Sequence, residues 1–256
     1  MVALEQFMAI WCQQSSRPTV LMLDEVDALV GDTLISLLRQ LRSGYPKRPE
    51  LFPQSVILCG VRDIHDYRIH SNREKAVITG GSAFNIKSKS LRMGDFTEKE
   101  VKTLLNAHTV ETGQVFEPEA ADLVWKLTRG QPWLVNALAY EVCFEMREGR
   151  NRTIPITAGM ILNAKERLIL NRVTHLDQLA DKLMEPRVRR IIEPMLAGLN
   201  LEDMNPDDIQ YVMDLGLCRL RAGGQIEVSN SIYREVLPRA LAFRRSPPLA
   251  PLKGGI

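Results

Sequence analysis

The stretch Thr19–Leu23, an unbroken apolar run closed by Asp24 and Glu25, constrains the fold of this chain more than any other feature. It follows a break at Arg17-Pro18 and has the length of a strand rather than a helix. An apolar run without alternation suits a strand buried on both faces, as in a parallel sheet. A strand ending in Asp-Glu brings two carboxylates to the carboxyl edge of that sheet, where α/β proteins place ligands. One acid at such an edge can hold Mg²⁺, usually through water, while its neighbour orients or polarises an attacking water. A strand that merely runs into an acidic turn leaves the same trace, so the motif needs company.

The segments around it supply that company. Met1–Gln14 reads as a helix with Leu4, Phe7, Met8 and Trp11 on one face. Gly31–Arg42 is an amphipathic helix carrying Leu34, Leu37, Leu38 and Leu41 on its apolar stripe. Beyond the Gly/Pro-rich loop Gly44–Pro53, Ser55–Gly60 is a second buried strand. It ends in Val61-Arg62-Asp63, which places Arg62 where such sheets sense a γ-phosphate and where a guanidinium can grip it bidentately. A surface arginine after a strand would look the same. Val61–Asn85 lacks periodicity and reads as a long loop, and Ser88–Met93 is a third, shorter strand candidate.

After Asp95 the character turns helical. Thr97-x-x-Glu100 is a capping box that opens a helix through His108. Helices Pro118–Thr128 and Pro132–Glu145 follow, split by Arg129-Gly130-Gln131, and then Thr157–Leu170. From about Thr174 the order becomes helix (Arg187–Leu196), helix (Asp207–Leu215), hairpin (Leu217–Leu220 and Gln225–Val228 around Gly223-Gly224) and helix (Ser231–Leu241). That order is the winged-helix arrangement. The Pro/Gly tail after Arg245 reads as disordered.

Taken in this order, the segments resemble the AAA-like ATPases of the AAA+ and STAND group of P-loop NTPases, in particular bacterial AAA-like domain proteins. The resemblance rests on the acid-ended strand, on the blocks Gly31–Pro46 and Gly80–Ile86, and on Gly130-Gln-Pro-Trp-Leu-Val-Asn-Ala137; it runs from about Pro18 to Pro238. It implies a P-loop NTPase-like parallel sheet over residues 1–95, a helical lid over 96–172, a winged helix over 173–243 and a tail over 244–256. It further implies ATP and Mg²⁺ as cofactors, with Asp24 the Mg²⁺-side Walker B acid and Glu25 the catalytic base. Arg62 would be the sensor arginine, and Gly130, Gln131 and Pro132 the lid motif near adenine and ribose. Taken alone, a Gly and a Pro at a helix start are ordinary helix punctuation.

No segment fits GxxxxGK[ST], the Walker A loop whose amides wrap the phosphates and whose lysine reaches the terminal ones. In the resembled family that loop and its strand lie upstream of Walker B, with the strand at the sheet centre. The expectation is therefore an incomplete sheet that lacks the central P-loop strand, in a truncated or degenerate ATPase with weak or absent ATP affinity. In complete form such a protein acts as a nucleotide-dependent switch.

Composition narrows the alternatives. A net charge of +2 among 256 residues neither demands nor excludes nucleic acid. The four cysteines are far apart, form no CxxC pair and lie among apolar residues, which fits reduced thiols in a cytoplasm rather than zinc. No apolar stretch approaches the ~18 residues of a membrane span, and Met1–Gln14 lacks the basic start of a signal peptide. The competing reading is a binding module without ATPase activity that acts through its winged helix. Asp207–Leu215 is acidic and holds no Lys or Arg, so a protein partner or self-association is favoured over DNA. A metal hydrolase built on Asp24, Glu25 and Asp27 is a weaker third reading, because adjacent residues at a strand end point in different directions. Arg39, Arg42 and Arg48 fit a solvated helix face better than arginine fingers acting in trans, and His65, His70, His108 and His175 share no site-like spacing.

Overall fold

The computed structural model describes residues 3–29, 31–61, 69–70, 77–78, 89, 91–171, 179, 181–199, 204–221 and 223–245. Two compact units divide the chain, Met1–Arg92 and Met93–Ile256.

In the first unit, α1 (Ala3–Gln14) leads into β1 (Val20–Leu23), α2 (Gly31–Gly44) and β2 (Ser55–Leu58). The two strands pair in parallel, with Val20 opposite Ser55 and Leu23 opposite Leu58. Leu21, Leu23, Val56 and Leu58 face a small core made with Met8 of α1, Leu37 and Leu41 of α2, and Phe52. Both helices therefore lie on one face of the pair, whereas Val20, Met22 and Ile57 on the other face are exposed. The expected burial on both faces is met on one only. Gly44 closes α2 directly over Phe52, where a Cβ would stand 2.2 Å from the ring. The helices are tied by Glu5, whose carboxylate accepts from Ser43 Oγ (2.8 Å) and pairs with Lys47.

Within the stretch read as a long loop, β3 (Ile69–His70) and β4 (Val77–Ile78) form a short antiparallel pair, Ile69 opposite Ile78. Their β-branched residues favour that local pairing, which no long-range periodicity announces. The third expected strand does not form where it is described. Leu91–Met93 have no strand partner among the described residues, and Leu91 and Met93 are 80% and 89% exposed. A strand needs a hydrogen-bonded neighbour, and apolar residues alone do not supply one.

The second unit is helical: α3 (Glu98–Thr112), α4 (Pro118–Thr128), α5 (Pro132–Tyr140), α6 (Arg147–Arg150) and α7 (Ala158–Leu170). The capping box opens α3 as expected: the Thr97 hydroxyl accepts from the Glu100 N–H (3.3 Å), and the Glu100 carboxylate accepts from the Thr97 N–H (2.7 Å). A π-helical turn, Glu141–Glu145, continues α5. The buried amide of Gln114 donates to the carbonyls of Gly149 (3.0 Å) and Ile154 (2.9 Å), fastening the loop before α7 to the end of α3.

Further on come α8 (Pro186–Leu196), α9 (Pro206–Asp214), the antiparallel hairpin β5 (Cys218–Leu220) and β6 (Ile226–Val228), and α10 (Ser231–Arg245). The order helix, helix, hairpin, helix is the one read from the sequence. The last helix continues into the stretch assigned to the tail, through Arg245; residues 246–256 lie outside the described ones. One continuous core runs from Val101 of α3 to Leu237 of α10, so the lid and the segment after it share a single packed interior.

Candidate nucleotide site at the end of strand β1

Residue Cys59, just beyond β2, shapes the acid pair through its backbone. Its N–H donates to the Leu23 carbonyl (2.8 Å), and its carbonyl accepts from the Val26 N–H (3.1 Å). The two residues between those anchors, Asp24 and Glu25, are thereby pushed out as an exposed protrusion at the carboxyl end of the parallel pair. Val26 closes it from beneath as a buried residue, starting the 3₁₀ turn Val26–Ala28.

Glu25 adopts a left-handed backbone, φ 52° and ψ 38°. For a non-glycine residue that conformation costs about 1–2 kcal/mol, and such strain persists where the surroundings over-determine it, often at functional sites. The Asp24 carboxylate accepts from the Glu25 N–H at 2.9 Å, which orients one acid against the next. Both side chains stay in water, so each carboxylate has lone pairs free for a hydrated cation or a water.

The metal side of the chemistry therefore fits in part. Among the described residues no group of three or more His, Cys, Asp or Glu could enclose a metal ion. A single carboxylate with water completing the shell is nevertheless a usual arrangement for Mg²⁺. The phosphate side is another matter, since no segment of the sequence has the GxxxxGK[ST] cradle.

Of the other sequence-derived site residues, Arg62 lies outside the described residues, as does the Asp27 side chain. Gly130, Gln131 and Pro132 belong to the second unit, where each has a structural task. Gly130 has φ 83°, and a Cβ there would stand 1.9 Å from the Phe96 carbonyl oxygen. Its own carbonyl accepts from the Phe96 N–H at 2.8 Å. Gln131 caps α5, its side-chain oxygen accepting from the Leu134 N–H at 2.6 Å, and Pro132 takes the first helical position, where its missing N–H costs nothing. The motif sets a sharp entry into α5.

Sequence reasoning passed over a polar cluster in this unit. The Gln114 side-chain oxygen meets His108 Nε2 (3.0 Å) and accepts from Arg152 (2.8 Å). The signal for it was faint: Gln is read as a surface residue unless its carbonyl partners are known.

In fold the chain is P-loop NTPase-like, mostly helical, with a small parallel sheet, as its likeness to solved structures shows. In particular, the chain is similar to a RuvB Holliday junction branch migration motor of Thermotoga maritima, with TM-score 0.50 and 16% identity over 91% of this chain and 74% of that one. It is also similar to a Walker-type ATPase of Pyrococcus abyssi, with TM-score 0.56 and 14% identity over 86% of this chain and 63% of that one. No family model and no curated protein matches the sequence. Among the described residues no helix is long and apolar enough to cross a membrane.

Proposed function

We propose that the chain is the Walker B-bearing part of an AAA-like, STAND-type nucleotide switch. The observation that carries this reading is the strained Asp24–Glu25 protrusion, clamped from both sides by the Cys59 backbone at the carboxyl edge of a parallel strand pair. Asp24 would hold Mg²⁺ through water, Glu25 would polarise the attacking water, and Arg62 would contact the terminal phosphate. Bound Mg²⁺ would supply charge neutralisation between phosphates. By the same resemblance Gly130, Gln131 and Pro132 would pack near the adenine and ribose.

With no phosphate cradle in its 256 residues, the chain alone is expected to bind ATP weakly, with a Kd on the order of 1 mM, and to show no turnover. Titration with a fluorescent ATP analogue, with and without Mg²⁺, tests this. Weak binding that needs Mg²⁺ and is lost in Asp24→Ala supports the reading. Binding indifferent to Asp24→Ala sinks the site, and tight Mg²⁺-dependent binding sinks the idea that the cradle must come from elsewhere.

A second reading, a winged-helix module that contacts protein, is favoured by the charge layout of α8 to β6. The helix Pro206–Asp214 carries no Lys or Arg. Its neighbouring arginines are already engaged, Arg187 and Arg190 with Asp208 and Arg219 with Glu227. Duplex DNA requires free cations against phosphate, so a protein or a second copy of the chain is the better fit. Retention on a duplex-DNA column at 150 mM salt, with its steep salt dependence, would argue the other way.

A further inference from the structure

Ion pairing in the helical unit is uneven. Arg187, Arg190, Arg219 and Arg239 each meet a carboxylate. Arg147, Arg150 and Arg152 meet none within 4.0 Å among the described residues, although Glu145 and Glu148 are close by in sequence. Two of these three cations meet Phe144, one at its ring and one at its backbone. The Arg152 guanidinium lies 4.9 Å from the centre of the Phe144 ring, and Arg150 Nε donates to the Phe144 carbonyl at 2.7 Å. Phe144 stacks on Tyr140, with ring centres 5.3 Å apart and planes 24° from parallel. Both rings face water, Tyr140 57% and Phe144 46% exposed. Tyr140 has no other ring contact or side-chain hydrogen bond among the described residues.

The platform is rigid. Arg152 donates to the Cys143 carbonyl (2.9 Å) and to the side-chain oxygen of the buried Gln114 (2.8 Å). Phe144 also meets His108 edge-on at 6.0 Å, and His108 meets the buried Phe116 edge-on at 5.9 Å. Phe144 stands on the π-helical turn Glu141–Glu145 and Tyr140 just before it, at the end of α5; such turns are rare and frequent at functional sites. Arg147 and Arg150 follow at i, i+3 on α6 and so share a face.

An exposed ring face beside guanidiniums that meet no carboxylate among the described residues suits a ligand that offers flat π-systems joined by anions. A peptide rich in carboxylates would satisfy the arginines and leave the rings in water. A nucleic-acid duplex keeps its ring faces inside its own stack. We propose that Tyr140 and Phe144, together with Arg147, Arg150 and Arg152, form a stacking site for single-stranded nucleic acid. A base stacks on the exposed Tyr140 ring while Arg147 and Arg150 follow the backbone phosphates, and Phe144 with Arg152 supports the ring from behind.

The test is fluorescence anisotropy of a labelled oligodeoxythymidylate titrated with the full chain, without ATP, so its outcome is independent of the nucleotide reading. Two phosphate contacts give a slope of log K against log salt of about −1.4. Tyr140→Ala is expected to weaken binding roughly 10-fold and leave the salt slope unchanged, while Tyr140→Phe retains it. The double variant Arg147→Gln, Arg150→Gln should bring the slope close to zero. Thermal midpoints matching the parent confirm that these exposed substitutions leave the fold intact. Affinity unchanged by Tyr140→Ala overturns the proposal. So does duplex DNA that binds as tightly as the single strand, or polyglutamate that competes as well as the oligonucleotide.

Discussion

The two units of this chain are packed to different standards. The helical unit buries one continuous core in which Leu134, Leu138, Val142, Ile161 and Ile192 are all fully enclosed. The strand-bearing unit buries Met8, Leu21, Leu34, Ile35, Leu38, Leu41 and Phe52 but leaves Val20, Met22 and Ile57 exposed across the opposite face of the strand pair. Helix α1 repeats the pattern, with Met8 and Cys12 buried while Phe7, Ile10 and Trp11 are exposed. Parallel strands are normally covered on both sides, and a helix apolar around its circumference is normally enclosed. The acid pair thus stands on the unit whose strand pair is covered on one face only among the described residues.

Unfolding should expose this difference most strongly. Urea denaturation followed by circular dichroism is expected to show two transitions, the first belonging to Met1–Arg92. Leu138→Ala should cost about 2–5 kcal/mol and move only the second. Leu41→Ala should move only the first, by a cost in the same range. A single transition shifted by both variants would refute the contrast.

A smaller effect sharpens it from the side of the site. Glu25→Gly removes a side chain from a left-handed position, so it should stabilise the first unit by about 1 kcal/mol while removing the carboxylate proposed to polarise water. A lower urea midpoint for the first transition would mean that Glu25 contributes contacts that outweigh its backbone strain.

Acidification should act on the same unit. Lys47, foremost, and then Ser43 hold the Glu5 carboxyl below the ordinary carboxylate range. A depressed folded pKa adds stability above the unfolded pKa, and the gain disappears as pH falls through the folded value. The first transition should therefore weaken on the acid side, and Glu5→Gln should flatten that dependence while lowering stability at neutral pH. The smallest effect is expected on the bare sheet face. Met22→Lys, at a side chain 66% exposed, should change stability by less than about 0.5 kcal/mol while reducing self-association in sedimentation.

Local chemistry made much of the fold legible. Apolar runs with clear ends gave β1 and β2, leucine periodicity gave α2, and the Thr97–Glu100 pair gave the start of α3. The Gly223-Gly224 turn marked the hairpin, whose strands pair Cys218 with Val228. What depends on distant neighbours was hidden. The one-sided covering of β1 follows from where α1 and α2 both settle, Leu91–Met93 pair with no strand among the described residues, and the burial of Gln114 follows from three remote carbonyls. At the site the identity of the acid pair was readable. Its left-handed backbone was not, because that shape is imposed by Cys59, far along the chain.

The hold that Cys59 exerts on Leu23 and Val26 consists of main-chain atoms alone. The side chain at position 59 is therefore nearly free to vary, and related chains that keep the protrusion need share no letter there. Proline is the exception: with no N–H to give, it would unlatch one side of the acid pair while leaving both acids in the sequence. A search that filters candidates on matching letters would discard sound relatives and accept one disabled by a single imino acid.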